Sequence, residues 1–327
     1  MILASPGTSG RACGKAILIG EHSAVDGHPA LALPLHSQSL EIFFGEKLNS
    51  GKGYQGWLNA WVLMMGETCV QLPTPERERL SASLQLAVQL ICGNEFSLEQ
   101  FEPQTIQIHS QLPLGAGMGG SAALSAALLR AVAAARGVEK NSSEIASLAN
   151  HLDGVFHGRA SGLDAATVVA EGVIRFQKGY GAVPVRNQTP FWLLLVDTHE
   201  RTPTRLMVEQ VAQLRKADPP RVEASFIKLA SLASLGEQAL ACGQLLELGK
   251  CLNQAHKALQ NLGVSTKRLD ACVEDLRTAG AFGAKLTGGG GGGLALALFA
   301  SQPPVPFSAA WSDALHFLTF VPASESA

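Results

Sequence analysis

The chain has 327 residues, 46% of them hydrophobic and 16% charged, with a formal net charge of −2. That length and balance predict a full apolar core with room for two domains. Lysine and arginine are scattered, with no basic run and no acidic tail, which argues against a nucleic-acid partner. The six cysteines form no CxxC pair, and no histidine stands at zinc-finger spacing. Free thiols in a reducing cytoplasm are the expectation. The first residues lack the basic-then-apolar layout of a signal peptide. The long uncharged run from Leu112 to Leu129 contains Pro113 and four glycines, too little apolarity for a membrane span.

In chain order, Ala12–Ile19, Ala30–Leu35 and Ser39–Phe44 read as short strands between Gly, Pro and polar breaks. Gly51–Glu78, with its Gly, Trp and Pro content, is expected to form a lid or an adenine-side loop. Leu80–Cys92 has helical spacing and Gln104–Ser110 alternates as a strand. A glycine-rich turn leads into an alanine-rich helix over Ser121–Arg136, with Gly137 as its C-cap. Ser142–Phe156 predicts another helix, capped by Ser142 or Ser143. Gly172–Gln177 and Phe191–Val196 read as strands. Pro203–Ala279 is helical almost throughout, broken at Pro219-Pro220 and Gly263. Ala281–Leu286 and Leu294–Phe299 are strands flanking six glycines, followed by a helix over Phe307–Leu315 and a strand over Phe317–Val321. Strands, then helices, then strands again predict an α+β protein. A domain boundary is expected near Phe176–Pro190, giving domains over 1–185 and 186–327.

Four segments carry chemistry. The first is Leu112-Pro113-Leu114-Gly115-Ala116-Gly117-Met118-Gly119-Gly120-Ser121-Ala122-Ala123. Glycines there let several N–H groups converge, and the helix behind them adds its positive end, as a polyphosphate needs. Ser121 in the first helical turn places a hydroxyl within reach of a phosphate-bound Mg²⁺. It is not a Walker loop, because no Lys-Ser or Lys-Thr follows the glycines; taken alone it could equally be a plain strand-to-helix turn.

The second segment runs from Gly14-Lys15 to Gly20-Glu21-His22. A lysine within an apolar strand either points to solvent from a sheet edge or asks for an anionic partner. The third is His157-Gly158-Arg159-Ala160-Ser161-Gly162-Leu163-Asp164, a carboxylate in a glycine-punctuated loop and so a candidate general base. Asp153 lies one helical turn before His157, as a candidate metal ligand or a solvated helix residue. His157 itself reads as a packed or capping histidine. The fourth is Lys285-Leu286-Thr287 with Gly288–Gly293, either a linker or a loop cleared of side chains for a ligand.

In this order the four segments resemble the family of galactokinase, homoserine kinase, mevalonate kinase and phosphomevalonate kinase, from about Gly14 to Phe299. Within it the Lys15–His22 and His157–Asp164 stretches are most similar to the mevalonate kinases. The resemblance implies a two-domain α+β fold with the active site between the domains. It also implies ATP as co-substrate with Mg²⁺, and transfer of the γ-phosphoryl to the primary hydroxyl of mevalonate, a step of isoprenoid precursor synthesis. ATP is then bound by Pro113, Leu114, Gly115, Ala116, Gly117, Met118, Gly119, Gly120, Ser121 and Ala122. Asp164 takes the hydroxyl proton with Lys15 near it, and Ser121 and Asp153 hold the metal. Glu21, His22, Ser161, Gly162, Thr198, Thr204, Gly289 and Gly290 contact the alcohol. A homodimer without nucleic-acid or membrane partners is expected. Three positions depart from the family pattern: Asp153 replaces a usual Glu, Gly120 a frequent second Ser, and Arg159 a smaller or amide residue that would offer a carboxylate or phosphate a bidentate partner.

Overall fold

The computed structural model describes residues 2–49, 53–113, 115–157 and 161–324, with backbone alone for 155–157. The expectations for Leu114, Gly158, Arg159, Ala160 and the His157 side chain therefore lie outside the described residues. The chain forms two compact units that interleave along the sequence. The first comprises residues 1–14, 38–113 and 119–169, the second residues 15–37, 114–118 and 170–327.

Two long strands belong in part to each unit: β1 (Ser9–Ile19) and β2 (Ala30–Lys47), which pair with one another. Sequence reading expects two strands where β2 is one. Pro34, Ser37 and Gln38 look like breaks, but Pro34 falls between the stretch that pairs toward β5 and the stretch that pairs toward β6. A missing N–H is tolerated there.

The first unit continues with α1 (Gly53–Leu58), β3 (Trp61–Met65), β4 (Thr68–Val70), α2 (Thr74–Cys92), β5 (Gln104–Ser110), α3 (Gly120–Arg136), α4 (Ser142–His157) and α5 (Leu163–Val168). Its strands lie in the order β4-β3-β5-β2, with β3 parallel to β5 and β2 antiparallel to it. The described part of Gly51–Glu78 is thus regular structure and not a loop. Trp57 and Trp61 are both buried, with indole N–H groups donating to Leu98 O and Ser81 Oγ. Burying two indoles requires such partners, which tie the segment to α2 through Ser81 and to the turn at Leu98. The alanines of α3 are buried on nearly every side, and α2, α4 and α5 pack around it. Gly137 ends it in the left-handed conformation. The cap of α4 is neither Ser142 nor Ser143. Asn141 Oδ1 accepts from Glu144 N at 2.9 Å and Glu144 Oε2 accepts from Asn141 N at 3.0 Å, a reciprocal box one residue earlier.

The second unit adds β6 (Ile174–Gln177), β7 (Gly181–Pro184), β8 (Phe191–Asp197), α6 (Thr204–Ala217), α7 (Pro219–Ala241), α8 (Leu245–Asn261), α9 (Lys267–Thr278), β9 (Gly283–Thr287), β10 (Leu294–Phe299) and β11 (His316–Val321). Its four-stranded antiparallel sheet has the order β11-β8-β10-β9. Every residue of β9 and β10 is buried, which is why LALALF shows no polar alternation. The helical stretch breaks at Pro219 and after Asn261 as expected. It breaks again at Gly243, whose φ of 69° ends α7. The helix expected over Phe307–Leu315 is instead a single 3₁₀ turn, Ala309–Trp311. Phe307, Trp311 and Leu315 mimic a helical stripe. Ser308 Oγ accepts from Ala310 N and closes the turn, while buried Trp311 anchors it by donating to Asp275 Oδ2 at 2.8 Å.

Candidate active site

In the second unit the glycine turn and the six-glycine loop line one small polar cleft. Gly115, Ala116 and Gly117 face Gly289, Gly290, Gly292 and Gly293, with Arg201, Thr202, Thr204 and Thr287 completing the wall. The turn alternates: Ala116 and Met118 are buried anchors, while Gly115 and Gly117 are exposed at φ 68° and 84°. Side chains are therefore absent where the backbone lines the cleft. The turn is tied to β1 by Lys15 N donating to Met118 O at 2.9 Å.

The six glycines are not an idle linker. A Cβ on Gly290 would lie 2.2 Å from Val264 O, and one on Gly292 2.6 Å from Glu200 O, both at positive φ. The loop is pinned by Gly291 N to Val264 O and Gly293 N to Glu200 O, each 2.8 Å, and by Thr202 Oγ1 to Gly291 O at 2.6 Å. Thr198 donates its hydroxyl to Gly293 O at 2.8 Å, so that side chain shapes the loop. Thr204, the first residue of α6, lines the cleft and lies against Gly289.

Lys15 does not point to solvent from an edge: it is 4% exposed. Glu21 is equally buried and pairs with Lys285, which is fully buried on β9 and also donates to Leu286 O. Burial pushes the Lys285 ammonium below the ordinary lysine range, the Glu21 carboxylate pulls it back, and Lys15 lowers it further by like charge. His22 donates from Nε2 to Gly289 O at 2.9 Å. Burial lowers the pKa of His22, against the pull of that carbonyl.

Arg201 holds both carboxylate oxygens of the buried Asp197, at 2.7 and 2.6 Å. Burial alone would raise Asp197, but the Arg201 bonds and the His199 N–H outweigh it and hold the carboxyl below its usual range. Arg201 is thereby fixed beside Gly115 by a bidentate pair.

In the first unit, Gly119 at φ 74° caps α3, followed by Gly120, Ser121 and Ala122 in its first turn. A helix start presents N–H groups that no carbonyl of its own helix reaches, together with the positive end of its dipole. Pro113 is the last described residue of this unit before the turn. Asp153 is 4% exposed on α4, a helix packed against α3. Gly162, at φ 91°, precedes α5, and Asp164 lies in the first turn of that helix. Ser161 Oγ accepts from Leu163 N at 3.3 Å, so this hydroxyl shapes the approach to α5. Thus α3, α4 and α5, packed on one another, carry Ser121, Asp153 and Asp164.

The family models described as GHMP kinases N terminal domain and GHMP kinases C terminal match residues 83–172 and 237–310. The chain is 30% identical to a mevalonate kinase of Thermococcus gammatolerans over 87% of this chain and 86% of that protein. It is 30% identical to one of Aeropyrum pernix, with 88% and 86% covered.

The chain belongs to the GHMP kinase family.

Among solved structures it is similar to the L. major mevalonate kinase in complex with R-mevalonate, with a TM-score of 0.79 at 23% identity, covering 98% of this chain and all of that one. That likeness carries the two-domain α+β fold. The family's N-terminal match spans Gly115–Ala122, Asp153 and Asp164, and its C-terminal match spans Lys285 and the six glycines.

The sequence of this GHMP kinase gives no sign of Arg201 and Thr202, and it shows Lys285 and Thr287 in the fourth segment without a role for either. Lys285 carried the same signal as Lys15, a lysine within an apolar strand. Arg201 left none, because its pairing with Asp197 depends on the turn that follows β8.

Proposed function

We propose that the chain transfers the γ-phosphoryl of ATP to the primary hydroxyl of mevalonate, giving 5-phosphomevalonate and ADP. The observation that supports a phosphate ligand is the small cleft walled by two glycine backbones with Thr204, Thr287 and Arg201, which brings backbone, hydroxyl and guanidinium donors together. The named substrate of the relatives from Thermococcus gammatolerans and Aeropyrum pernix supports mevalonate as the alcohol.

Phosphoryl transfer needs positioning and charge dispersal more than covalent chemistry. Gly115–Met118 and the start of α3 give N–H groups to the phosphates, with Pro113 and Ala122 bounding the segment. Lys15 neutralises charge on the transferred group, and Asp164 accepts the hydroxyl proton or orients the nucleophile. Thr204, His22, Gly289 and Gly290 contact the alcohol, Glu21 accepts from it, and Ser161, Gly162 and Thr198 shape the surrounding backbone. Ser121 and Asp153 fit Mg²⁺, since both are hard oxygen donors and this ion takes one or two protein ligands beside phosphate oxygens and water. When bound with the nucleotide, it supplies charge neutralisation at the phosphates.

The test is ADP release by the purified protein with Mg-ATP against R-mevalonate, phosphomevalonate, galactose and homoserine. Turnover with R-mevalonate above the other three is expected. Preference for another alcohol would replace the substrate, and ATP binding without release in every case would remove the kinase reading.

A further inference from the structure

One edge of β1 is bonded to both glycine walls of the cleft. β1 pairs with β2, and among the described residues no strand pairs with its other edge over residues 15–17. N–H groups two residues apart on a strand point to the same edge, so Lys15 N and Ile17 N face the same way. Lys15 N donates to Met118 O at 2.9 Å, next to Gly117 in the first wall. Ile17 N donates to Thr287 Oγ1, and Ile17 O accepts from that hydroxyl, both at 3.0 Å. Thr287 ends β9, lines the cleft and opens the six-glycine loop that forms the second wall.

The Thr287 hydroxyl has a single proton, and Ile17 O receives it. The side chain is 4% exposed, and its polar atom is directed at the strand and not at a ligand. The two walls come close together here: a Cβ on Gly288 would lie 3.5 Å from Gly117 O, and one on Gly293 3.4 Å from Ala116 O. The edge of β1 therefore sets how far the Lys15 backbone stands from each wall, with Met118 and Thr287 as its two fixed points. A cross-link serving stability alone could sit anywhere along β1 and β9. This one falls two residues from Lys15 and at the root of the loop.

We propose that Thr287 is a positioning residue for the transfer reaction, acting through Lys15: its hydroxyl fixes the strand that carries the ammonium in register with the two glycine walls. The inference rests on the kinase reading above and adds a residue to it. Of the two fixed points only Thr287 uses a side chain, so a substitution can release it without changing the backbone at the other.

The experiment measures kcat, KM for R-mevalonate and KM for ATP in the parent, Thr287→Val, Thr287→Ser, Lys15→Met and the double variant Lys15→Met/Thr287→Val. Each rate is divided by the folded fraction at the assay temperature, read from urea unfolding. Thr287→Val is expected to lower kcat about tenfold or more with both KM values within about threefold, because a displaced cation is felt most in the transition state. Thr287→Ser should recover most of the loss, since it keeps the donor and the acceptor. Added to Lys15→Met, Thr287→Val should lower kcat by less than about threefold more, since residues acting as a unit are not additive. A Thr287→Val enzyme with a lower unfolding midpoint but the parent's kcat per folded molecule overturns the proposal. So does a double variant that shows the full loss of both single variants. If Thr287→Val does not fold, Thr287→Cys decides, because a thiol is a weak donor and acceptor: kcat at the parent's level overturns the proposal, and a lowered kcat with both KM values retained supports it. An active parent with an unaltered Thr287→Val removes this inference alone, whereas a parent inactive with every alcohol removes the kinase reading and this inference with it.

Discussion

Thr287 bonds both backbone groups of Ile17: Ile17 N–H donates to Thr287 Oγ1 at 3.0 Å, and the same hydroxyl donates to Ile17 O at 3.0 Å. One side chain thereby stands in for a ladder step between the end of β9 and the strand that carries Lys15. Thr287→Val keeps the shape and leaves a buried N–H and C=O unpaired. A loss of about 2–4 kcal/mol is expected in urea unfolding, with Thr287→Ser retaining most of the stability.

The glycine loops divide into positions that demand glycine and positions that do not. Gly290→Ala places a methyl 2.2 Å from Val264 O at φ 78°, whereas a Cβ on Gly120 meets nothing within 4 Å. Gly290→Ala should lower stability by about 2 kcal/mol or more and raise KM for the alcohol, while Gly120→Ala should stay within about 0.5 kcal/mol of the parent in thermal unfolding.

His256 is neutral in the fold. Burial lowers its pKa to about 4, Asp270 opposes that, and Lys285 and Arg277 add to it. Unfolded, the imidazole takes up its proton near pH 6.5. A lowered folded pKa leaves the stability intact above about 6.5 and removes it as pH falls toward 4. The contribution at neutral pH is on the order of 3 kcal/mol. Urea midpoints between pH 7 and 4 should fall for the parent and fall less for His256→Asn.

Arg201 is held against the glycine turn by Asp197, so its cation is placed before any ligand arrives. Arg201→Ala should raise KM for ATP about tenfold, a charge-assisted bond's worth, and should also lower the unfolding midpoint, because the buried Asp197 carboxylate loses its bidentate partner. An unchanged KM would remove Arg201 from the phosphate wall.

Much of this was legible from residue types. The glycine turn after a strand, the alanine-rich helix behind it and the paired apolar strands around Gly288–Gly293 each follow from local rules. What escaped depends on partners distant in sequence. Pro34 looks like a break unless the pairing stretches on either side of it are known. Phe307, Trp311 and Leu315 have helical spacing, but Trp311 is committed to Asp275. Glu21 reads as a substrate-binding acid and Lys285 carries no role until the fold joins them.

In the proposed phosphoryl transfer Asp164 handles the hydroxyl proton. ³¹P NMR of a reaction containing Mg-ATP and R-mevalonate, run with the parent and with Asp164→Asn, tests it most directly. The parent should form one phosphomonoester per ADP. Asp164→Asn should lose about 10²-fold or more of the turnover while still binding ATP. Turnover by Asp164→Asn at the parent's rate, or a parent that binds ATP and yields no phosphomonoester, would contradict it.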